Sequence, residues 1–317
     1  MSHLPLVSVI CTSYNHEKYV FKALNSVLNQ NYDAIELIIV DNGSQDNTVK
    51  VIEDWLWLHD FFKPVKTFFY TQRNNYCRIF NKALDLCTGT YVIDLAADDE
   101  LLPSHIATAV SNLESSNAAV YFSNVYLWFE DGSLKPFYPV TEAGDLIQKV
   151  PAGDVYKYVV ERYAISTVSL VFKRQVLKRE GGYDPSLVYE DFDILVRLAR
   201  KYRFVFHPNI GVKKRILSSS FSAQQYRVGS CRMLPSTYHV LLKIKKMNVT
   251  VDENAALAKR ILFESKHALA SANFDTAEKM LALAWSLKVK RLHVFFFRIW
   301  AQSRINVSSI YRFLKRD

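Results

Sequence analysis

The first hundred residues alternate short apolar runs with segments whose apolar residues recur at helical spacing. The apolar runs are rich in β-branched residues, which is typical of buried parallel strands. They are LVSVICTSY (6–14), IELIIVDN (35–42), VKTFFY (65–70) and TYVIDLAA (90–97). The predicted helices are 18–29, a segment after 42 that Asp46 or Asn47 can cap, and 79–87. This alternation with short connections predicts an α/β fold with a doubly wound, mostly parallel sheet.

Polar residues follow each of the four predicted strands. In a sheet of this kind, ligands bind beyond the carboxyl ends of the strands, so we expect these polar residues to converge on one crevice. The pairs are Thr12 and Asn15, Asp41 and Asn42, Arg73 and Asn74, and Asp98 and Asp99. Neither a GxxxxGK[ST] loop nor a GxGxxG turn follows the first strand, which argues against an ATPase and against a hydride-transferring enzyme.

The stretch LAADDELLP places three acids directly after the fourth strand. Adjacent carboxylates repel one another, so a bound cation usually offsets their charge. Asp98 and Asp99 are therefore predicted cation ligands. The alternative is that these acids favour the start of a helix over LLPSHIATAVSNL.

Four strings in this order resemble the family 2 glycosyltransferases of GT-A fold, of the type that makes bacterial surface polysaccharides. They are VSVICTSYN, IELIIVDNGSQDNT, AADDELLP and GGYDPSLVYEDFDILVRLARKY. The resemblance implies transfer of a sugar from a nucleoside diphosphate donor to an acceptor hydroxyl, with inversion at the anomeric carbon. It also implies Mg²⁺ or Mn²⁺ on the diphosphate and a saccharide or lipid-linked saccharide as acceptor.

Within this resemblance, Asp98 and Asp99 match the family's DxD metal motif. Ala96 stands where the first aspartate usually is, so the choice between Asp98 and Asp99 as the ligand stays open. The departing phosphate gains negative charge, and a hard divalent cation held by one or two carboxylates stabilises it.

The resemblance also places Thr12, Asp41 and Asn42 near the base and ribose of the donor, with Asn15 in the same group at the strand ends. An amide at position 42 can read uracil or thymine, and guanine is not excluded. Asp41 equally suits a turn in DNGS.

Two arginines are candidates for binding the diphosphate, because a guanidinium matches phosphate oxygens in a bidentate fashion. Arg78 lies where the family tends to place a basic residue. Arg73 could equally be a solvated loop charge.

The string VYEDFDILVRLARKY predicts a helix with Glu190 and Asp191 at its N-terminal end. In the family an ED pair supplies the general base, and Asp191 matches its aspartate, with Glu190 as second choice. A carboxylate near the acceptor hydroxyl can take its proton as attack proceeds. Acids in the first turn of a helix also serve as ordinary caps.

Charge divides the chain. Lys and Arg number 18 against 25 Asp and Glu in residues 1–200, and 22 against 6 in residues 201–317. We predict a catalytic domain over 1–218 and a mainly helical, basic region over 219–317. Two amphipathic helices are expected in ENAALAKRILFESKHALASANF and DTAEKMLALAWSLK.

The chain end, VKRLHVFFFRIWAQSRINVSSIYRFLKRD, interleaves aromatic and basic residues. Such a segment can pack against the catalytic domain or a second subunit, or lie on an anionic membrane surface. No nucleic-acid partner is expected, because no recognised binding fold accompanies the charge.

Four cysteines without a CxxC pair, and no uninterrupted run of eighteen apolar residues, predict a cytoplasmic protein, peripheral at most to the inner face of the membrane. A second function stays open alongside catalysis. Because Ala96 weakens the metal motif, the chain could be an inactive sugar-nucleotide-binding or scaffold protein on the same fold.

Overall fold

The computed structural model describes residues 4–59, 64–162, 165–218, 220, 224–288 and 291–314. The chain divides into two compact units. The first unit is formed by 1–155, 165–186 and 197–217, and the second by 156–164, 187–196 and 218–317. Residue 219, where the predicted basic region begins, lies outside the described residues.

The strands of the first unit form a mixed sheet with the order β3-β2-β1-β4-β8-β6-β9-β5, and β7 pairs with β6. Their bounds are β1 Val7–Ser13, β2 Ile35–Asp41, β3 Val65–Phe69, β4 Tyr91–Ala96, β5 Glu100–Leu101, β6 Val120–Phe129, β7 Leu134–Pro136, β8 Val171–Lys173 and β9 Phe204–Ile216. β3, β2, β1 and β4 are parallel, and β8 runs antiparallel to β4 and β6. The predicted fold class is confirmed.

Helices connect and cover these strands. In the first unit they are α1 Val20–Leu28, α2 Thr48–Leu58, α3 Tyr76–Leu86, α4 His105–Glu114 and α6 Arg174–Arg179, with a short 3-10 helix at Thr167–Ser169. In the second unit they are α5 Tyr156–Arg162, α8 Met233–Met247, α9 Val251–Ala270, α10 Phe274–Ser286, α11 Arg291–Ser303 and α12 Ser308–Leu314. The residues of α7, Asp191–Lys201, are shared between the units.

The parallel half of the sheet is buried on both faces, which explains its continuous apolar runs. Every residue of β1 and β2 is buried. On one face, Leu24 of α1 and Trp55 of α2 join Val9 and Leu37 in the main core. The indole N–H of Trp55 donates to Asn25 Oδ1 at 2.7 Å, so this large ring is buried without losing its hydrogen bond.

The acids after β4 do not begin a helix, so that alternative is wrong. Glu100 and Leu101 instead form β5 and pair antiparallel with β9. The next helix, α4, begins only at His105. The acid cluster is thus a turn between two strands of the sheet.

The second unit is helical, and α9 and α10 occur where amphipathic helices were predicted. α9 begins with a capping box in which Thr250 accepts from the Glu253 N–H at 3.1 Å, and the Glu253 carboxylate accepts from the Thr250 N–H. Across the helices that the structure describes, none combines the length and the apolar character needed to cross a bilayer.

Candidate active site

The carboxyl ends of β1, β2 and β4 lie side by side. Thr12 of β1 is in register with Val40 of β2 on one side and with Ala96 of β4 on the other, and Ser13 is in register with Asp41. The first unit therefore brings the predicted polar residues after these three strands to one edge of its sheet.

Asp41 organises the loop that follows β2. It is fully buried, and Oδ1 accepts from Ser13 Oγ at 2.8 Å and from Ser44 Oγ at 2.5 Å. Oδ2 accepts from the N–H groups of Gly43 and Ser44 at 3.1 and 2.8 Å. With these four bonds Asp41 stabilises the turn after β2.

Asn15 joins the loops after β1 and β2. Its φ of 56° is a left-handed conformation that asparagine tolerates better than most residues. Its N–H donates to Ser44 Oγ at 2.8 Å, and its side-chain oxygen accepts from the Gln45 N–H at 2.8 Å. Asn15 is exposed, and it fixes the edge of the crevice.

Asn42 makes a similar link to the loop after β3. Its side-chain nitrogen donates to the Asn74 carbonyl at 3.1 Å, and its oxygen accepts from the Asn74 N–H at 2.8 Å. An amide has two donor and two acceptor positions, and among the described residues Asn42 uses one of each.

The two predicted phosphate-binding arginines are both exposed. The Arg73 guanidinium lies 4.5 Å from the ring centroid of Tyr14, which ties the loop after β3 to the loop after β1. Arg78 is in the first turn of α3, and its N–H donates to the capping side chain of Asn75 at 3.0 Å.

The Thr12 hydroxyl is buried, and among the described residues it has no hydrogen-bond partner. A buried hydroxyl without a partner costs free energy, so such groups point to a missing ligand or water. Of the residues predicted to bind the donor, Thr12 carries this signal most clearly.

The acid turn, defined as Asp98, Asp99 and Glu100, is held by Arg215 of β9. The Arg215 N–H donates to Asp99 Oδ1 at 2.7 Å, and its Nε donates to the Asp98 carbonyl at 3.0 Å. Its Nη2 lies 3.3 Å from Glu100 Oε1. One arginine thus fixes the backbone of the turn and neutralises one of its three acids.

The two aspartates of the acid turn differ in environment. Asp99 is 3% exposed, and burial together with the charge of Asp98 raises its pKa well above the ordinary range. Asp98 is only half-buried, and within the described part of the chain its carboxylate has no hydrogen-bond or ion-pair partner. Asp98 is the acid of the turn that is free to meet a cation.

The acid turn offers carboxylate oxygens, which are the ligands that hard divalent cations take. The structure contains, in the residues it describes, no group of three His, Cys, Asp or Glu that would form a cage around a metal. Mg²⁺ is usually bound by one or two carboxylates and completed by substrate phosphates and water, which is what a free Asp98 beside Asp99 offers.

Sequence analysis missed the role of Arg215. Its guanidinium lies 3.8 Å from the ring centroid of Trp128 and 4.6 Å from that of Tyr19. The pairing of β9 with β5 and β6 brings Arg215 to these residues. No local pattern in the sequence predicts this pairing.

Asp94, to which the sequence assigns no role, has a defined environment. The hydroxyl of Tyr76 lies 2.6 and 2.7 Å from its two oxygens, and the hydroxyl of Tyr183 donates to Oδ2 at 2.8 Å. Strand alternation puts Asp94 on the same face of β4 as Ala96, which could have marked it as a residue near the site.

Asp94 is part of a clamp on the loop GGYDPS. Asn81 of α3 donates to the Tyr183 carbonyl at 2.7 Å and accepts from its N–H at 2.8 Å. The Tyr183 ring stacks on Phe80 with centroids 4.1 Å apart. Gly182 has a φ of +65°, and a Cβ there would lie 2.3 Å from Asn81 Oδ1, so glycine is required for this close approach.

In the second unit, three acids surround the start of α7, and they differ in their partners. Asp193 is buried, and Lys243 Nζ lies 2.6 Å from its Oδ1. The Glu190 carbonyl accepts from the Ile194 N–H at 3.0 Å, so Glu190 opens the helix. Asp191 is half-buried, and its carboxylate has no hydrogen-bond partner among the residues described.

α8 anchors the chain just before Asp191. The Val188 N–H donates to Ser236 Oγ at 3.0 Å, and the Tyr189 hydroxyl lies 2.7 Å from Thr237 Oγ1. These bonds fix the position at which α7 begins within the second unit. The first turn of α7 therefore presents Asp191 from a rigid support.

The acid turn thus follows the fourth of four parallel strands, at the edge of the sheet where ligands bind in α/β folds. The family model described as glycosyl transferase family 2 matches residues 8–176, which is more than half of the chain. The protein belongs to this family of glycosyltransferases.

Relatives of known sequence support this assignment. The chain is 29% identical over 220 residues to the uncharacterized glycosyltransferase MJ1057 of Methanocaldococcus jannaschii, covering 67% of this chain and 71% of the relative. It is 25% identical over 232 residues to WfaP of Escherichia coli, named a UDP-Glc:alpha-D-GlcNAc-diphosphoundecaprenol beta-1,3-glucosyltransferase, with 71% of this chain and 82% of WfaP covered. The chain spans 45% of another relative, an uncharacterized glycosyltransferase of Haemophilus influenzae.

Solved structures share the fold. TarS residues 1–349 of S. aureus in complex with UDP superpose with a TM-score of 0.66 at 16% identity, covering 97% of this chain and 91% of that one. The mannosyltransferase PcManGT of Pyrobaculum calidifontis, in complex with GDP-Man and Mn²⁺, gives 0.63 at 17% identity, with coverages of 100% and 89%.

Proposed function

We propose that the protein is a metal-dependent, inverting glycosyltransferase that moves a sugar from a nucleoside diphosphate donor to a hydroxyl of a saccharide or lipid-linked saccharide in surface-polysaccharide synthesis. The observation that carries the proposal is the acid turn, where the half-buried Asp98 carboxylate is free beside the buried Asp99 at the end of β4. The family assignment supports the transferase, and the acid turn supports the metal.

In this proposal Asp98 holds Mg²⁺ or Mn²⁺, and Asp99 is a second ligand or orients the first. When bound there, the cation would offset the negative charge that develops on the departing diphosphate. The neighbour bound to GDP-Man and Mn²⁺ supports a divalent ion in this fold. Arg73 and Arg78, both exposed, would add positive charge for the diphosphate.

The nucleoside would meet the edge formed by Thr12, Asn15 and Asn42. The unpartnered Thr12 hydroxyl and the Asn42 amide, which uses only one donor and one acceptor among the described residues, support this assignment. Asp41 would act indirectly, by shaping the loop that Asn42 begins.

Asp191 would accept the proton of the acceptor hydroxyl, and Glu190 is the second candidate. The half-buried carboxylate of Asp191, at a helix start that α8 holds in place, supports this role. A general base must be free to reach the proton that it takes. Asp193 is a poor base, since Lys243 holds its charge.

Binding experiments test the donor. Titration calorimetry with UDP, TDP and GDP, with and without Mn²⁺, is expected to show one preferred nucleotide whose affinity falls at least about tenfold when the ion is removed. Hydrolysis of the matching nucleotide sugar then tests chemistry. Equal affinity with and without the ion would count against metal dependence.

Substitution of Asp191 tests the base. Asp191→Asn is expected to lower the transfer rate roughly 100-fold or more while leaving donor affinity unchanged, because the base acts only on the acceptor. Glu190→Gln is the matched control and should lose less. If Glu190→Gln loses more activity than Asp191→Asn, the two roles are exchanged.

A catalytically inactive sugar-nucleotide-binding or scaffold protein is the second candidate, and Ala96 in the metal motif favours it. It predicts nucleotide binding without turnover of any donor in the presence of a broad acceptor panel. Restoring the acid with Ala96→Asp would then be expected to raise metal affinity.

We also propose that the protein works in the cytoplasm and that residues 1–218 form the catalytic domain, with 219–317 as a separate basic region. All four cysteines are buried and free, which supports a reducing compartment. One boundary between the two compact units, at 217/218, supports this division, although the second unit also includes 156–164 and 187–196 from the catalytic region.

A further inference from the structure

α11 exposes an apolar stripe. Leu292, Phe295, Phe296 and Ile299 follow the spacing i, i+3, i+4, i+7, and their exposed fractions are 66%, 49%, 59% and 48%. Residues at this spacing lie along one face of a helix. Four large apolar side chains exposed on one helix face are typical of a surface that contacts a protein or membrane partner.

The packing of α11 within its own unit does not cover this stripe. Val294 and Ala301 are each 1% exposed, and they form the face that packs in the second unit, where α11 contacts α9 and α10. Phe295 and Phe296 are therefore not covered by packing within the second unit, and packing against a second subunit stays a prediction. Ile305 and Ile310 farther along are also exposed, at 60% and 63%.

The same part of the sequence is strongly basic. Residues 288–317 contain eight Lys and Arg and a single acid, the last residue. Arg298 lies on α11 itself, exposed, with its guanidinium 5.3 Å from the ring centroid of Trp285. Arg304 is partly balanced by Asp275, whose Oδ1 lies 2.7 Å from its Nη2. In the sequence, the surplus positive charge thus lies in the same segment as the apolar stripe.

Charge decides among the partners that could cover the stripe. A second copy of the chain would bring two basic segments together, which costs free energy. An acidic lipid surface offers both the apolar boundary that the stripe needs and the negative charge that the basic residues need. We propose that α11 docks on an anionic lipid surface, with its axis in the membrane plane and the stripe at the boundary between headgroups and acyl chains.

This inference does not depend on the transferase activity. A helix of this kind lies on the bilayer and does not cross it. The proposed geometry places Leu292, Phe295, Phe296 and Ile299 toward the acyl chains and Arg298 at the headgroups.

Co-sedimentation of the full chain with vesicles tests the proposal directly. We expect binding to phosphatidylcholine vesicles that contain about 30 mol% phosphatidylglycerol, and at least roughly tenfold weaker binding to pure phosphatidylcholine. Raising the salt to about 0.5 M should release most of the protein, because screening removes the electrostatic part of the attraction.

Substitutions on the stripe separate the apolar contribution from the charge. The double variant Phe295→Gln/Phe296→Gln is expected to weaken binding to the anionic vesicles by about tenfold or more, since both side chains leave the acyl boundary. Because both side chains are exposed, the thermal unfolding midpoint should stay that of the parent protein. Arg298→Gln should weaken binding less, and only at low salt.

Trp57→Gln is the matched control. Trp57 on α2 is a large apolar residue that is 81% exposed, but it does not belong to the basic segment 288–317. Its binding to vesicles should equal that of the parent protein. An equal loss in the control and the stripe variant would overturn the proposal, as would failure of the parent protein to bind anionic vesicles. Light scattering that shows a dimer, disrupted by the stripe variant and unaffected by lipid, would also overturn it and identify a second copy as the occupant.

Discussion

The acid turn of the first unit and the buried acids of the second unit differ in how their charge is balanced. In the second unit each buried acid has its own cation: Asp193 with Lys243 at 2.6 Å, and Glu264 with Arg260 at 2.8 Å. In the first unit the acid turn brings three acids together beside Arg215, and Lys214 is the other cation that acts on Asp99. The second unit is neutral at these places, and the first carries surplus negative charge.

This difference in charge balance indicates which acids serve the fold and which serve a site. A paired buried acid is explained by the fold, because each charge offsets the desolvation of the other. Adjacent acids are costly for the fold, and burial together with the charge of Asp98 raises the pKa of Asp99 even though Lys214 and Arg215 oppose the shift. Such a cost is typical of a site that is completed by a ligand.

The sharpest test of this comparison is Asp98→Asn. Removing the free carboxylate should lower the rate of sugar transfer by roughly a thousandfold, about 4 kcal/mol of transition-state stabilisation, because the cation is lost. The free energy of unfolding should stay the same or rise, since one repulsive charge disappears. Steady-state kinetics and urea unfolding of the same preparation measure both quantities.

Asp54→Asn is the control for Asp98→Asn, because Asp54 is exposed and forms only a surface ion pair with Lys50 at 3.4 Å. It should change neither quantity. A loss of stability in Asp98→Asn comparable with its loss of activity would show that the acid turn is structural, and the contrast between the units would fail.

The second unit should respond in the opposite way. Asp193→Asn removes the negative charge that lies 2.6 Å from Lys243 Nζ and is expected to lower the free energy of unfolding by about 3 kcal/mol. Replacing both residues with leucine should recover part of that loss. Urea unfolding of the three proteins measures the difference, and an Asp193→Asn protein as stable as the parent would contradict the structural role.

A substitution of Tyr183 tests the role of Asp94, an acid of the first unit that is not part of the acid turn. Tyr183→Phe removes one hydrogen bond to Asp94 and should cost about 1–2 kcal/mol of stability, because the partner is half-buried. If the loop GGYDPS positions the donor, the Michaelis constant for the donor should rise more than the turnover number falls. Tyr158→Phe, at an exposed tyrosine of α5, is the control and should change neither.

The sequence predicted what depends on local pattern. The predicted bounds of β1, β2 and β4 agree with the observed strands to within one residue at each end. Strands that are buried on both faces are continuous apolar runs, which are easy to recognise in a sequence. β9 was not predicted, since FVFHPNIGVKKRI mixes polar and apolar residues and includes Pro208 and Gly211. Its pairing with β6 and β5 is a tertiary event, and for the same reason β5 was interpreted as part of a helix start.

The same distinction between local pattern and tertiary contact applies to the residues of the candidate site. Motifs pointed to Asp98, Asp99 and Asp191, but their different environments come from contacts distant in sequence. Arg215 is 116 positions from the Asp99 that it holds, and Tyr183 is 89 positions from Asp94. Spacing along the chain cannot reveal such partners, whereas strand alternation could have indicated that Asp94 faces the same way as Ala96.

Glu36 offers the smallest and most specific test, because it is a buried acid of the first unit that the comparison classes as structural. Burial opposes its ionisation, but hydrogen bonds from Ser8 at 2.5 Å and from the Thr88 and Gly89 N–H groups at 2.5 and 3.0 Å outweigh it, so its pKa is lowered from 4.5. A lowered folded-state pKa adds stability above the unfolded value and loses it as the pH falls through the folded value. Near pH 7, Glu36→Gln should therefore be about 1 kcal/mol less stable than the parent protein, and the difference should shrink below pH 4.5. Thermal unfolding across this range measures it, and a difference that is independent of pH would mean that the Glu36 charge contributes nothing to the fold.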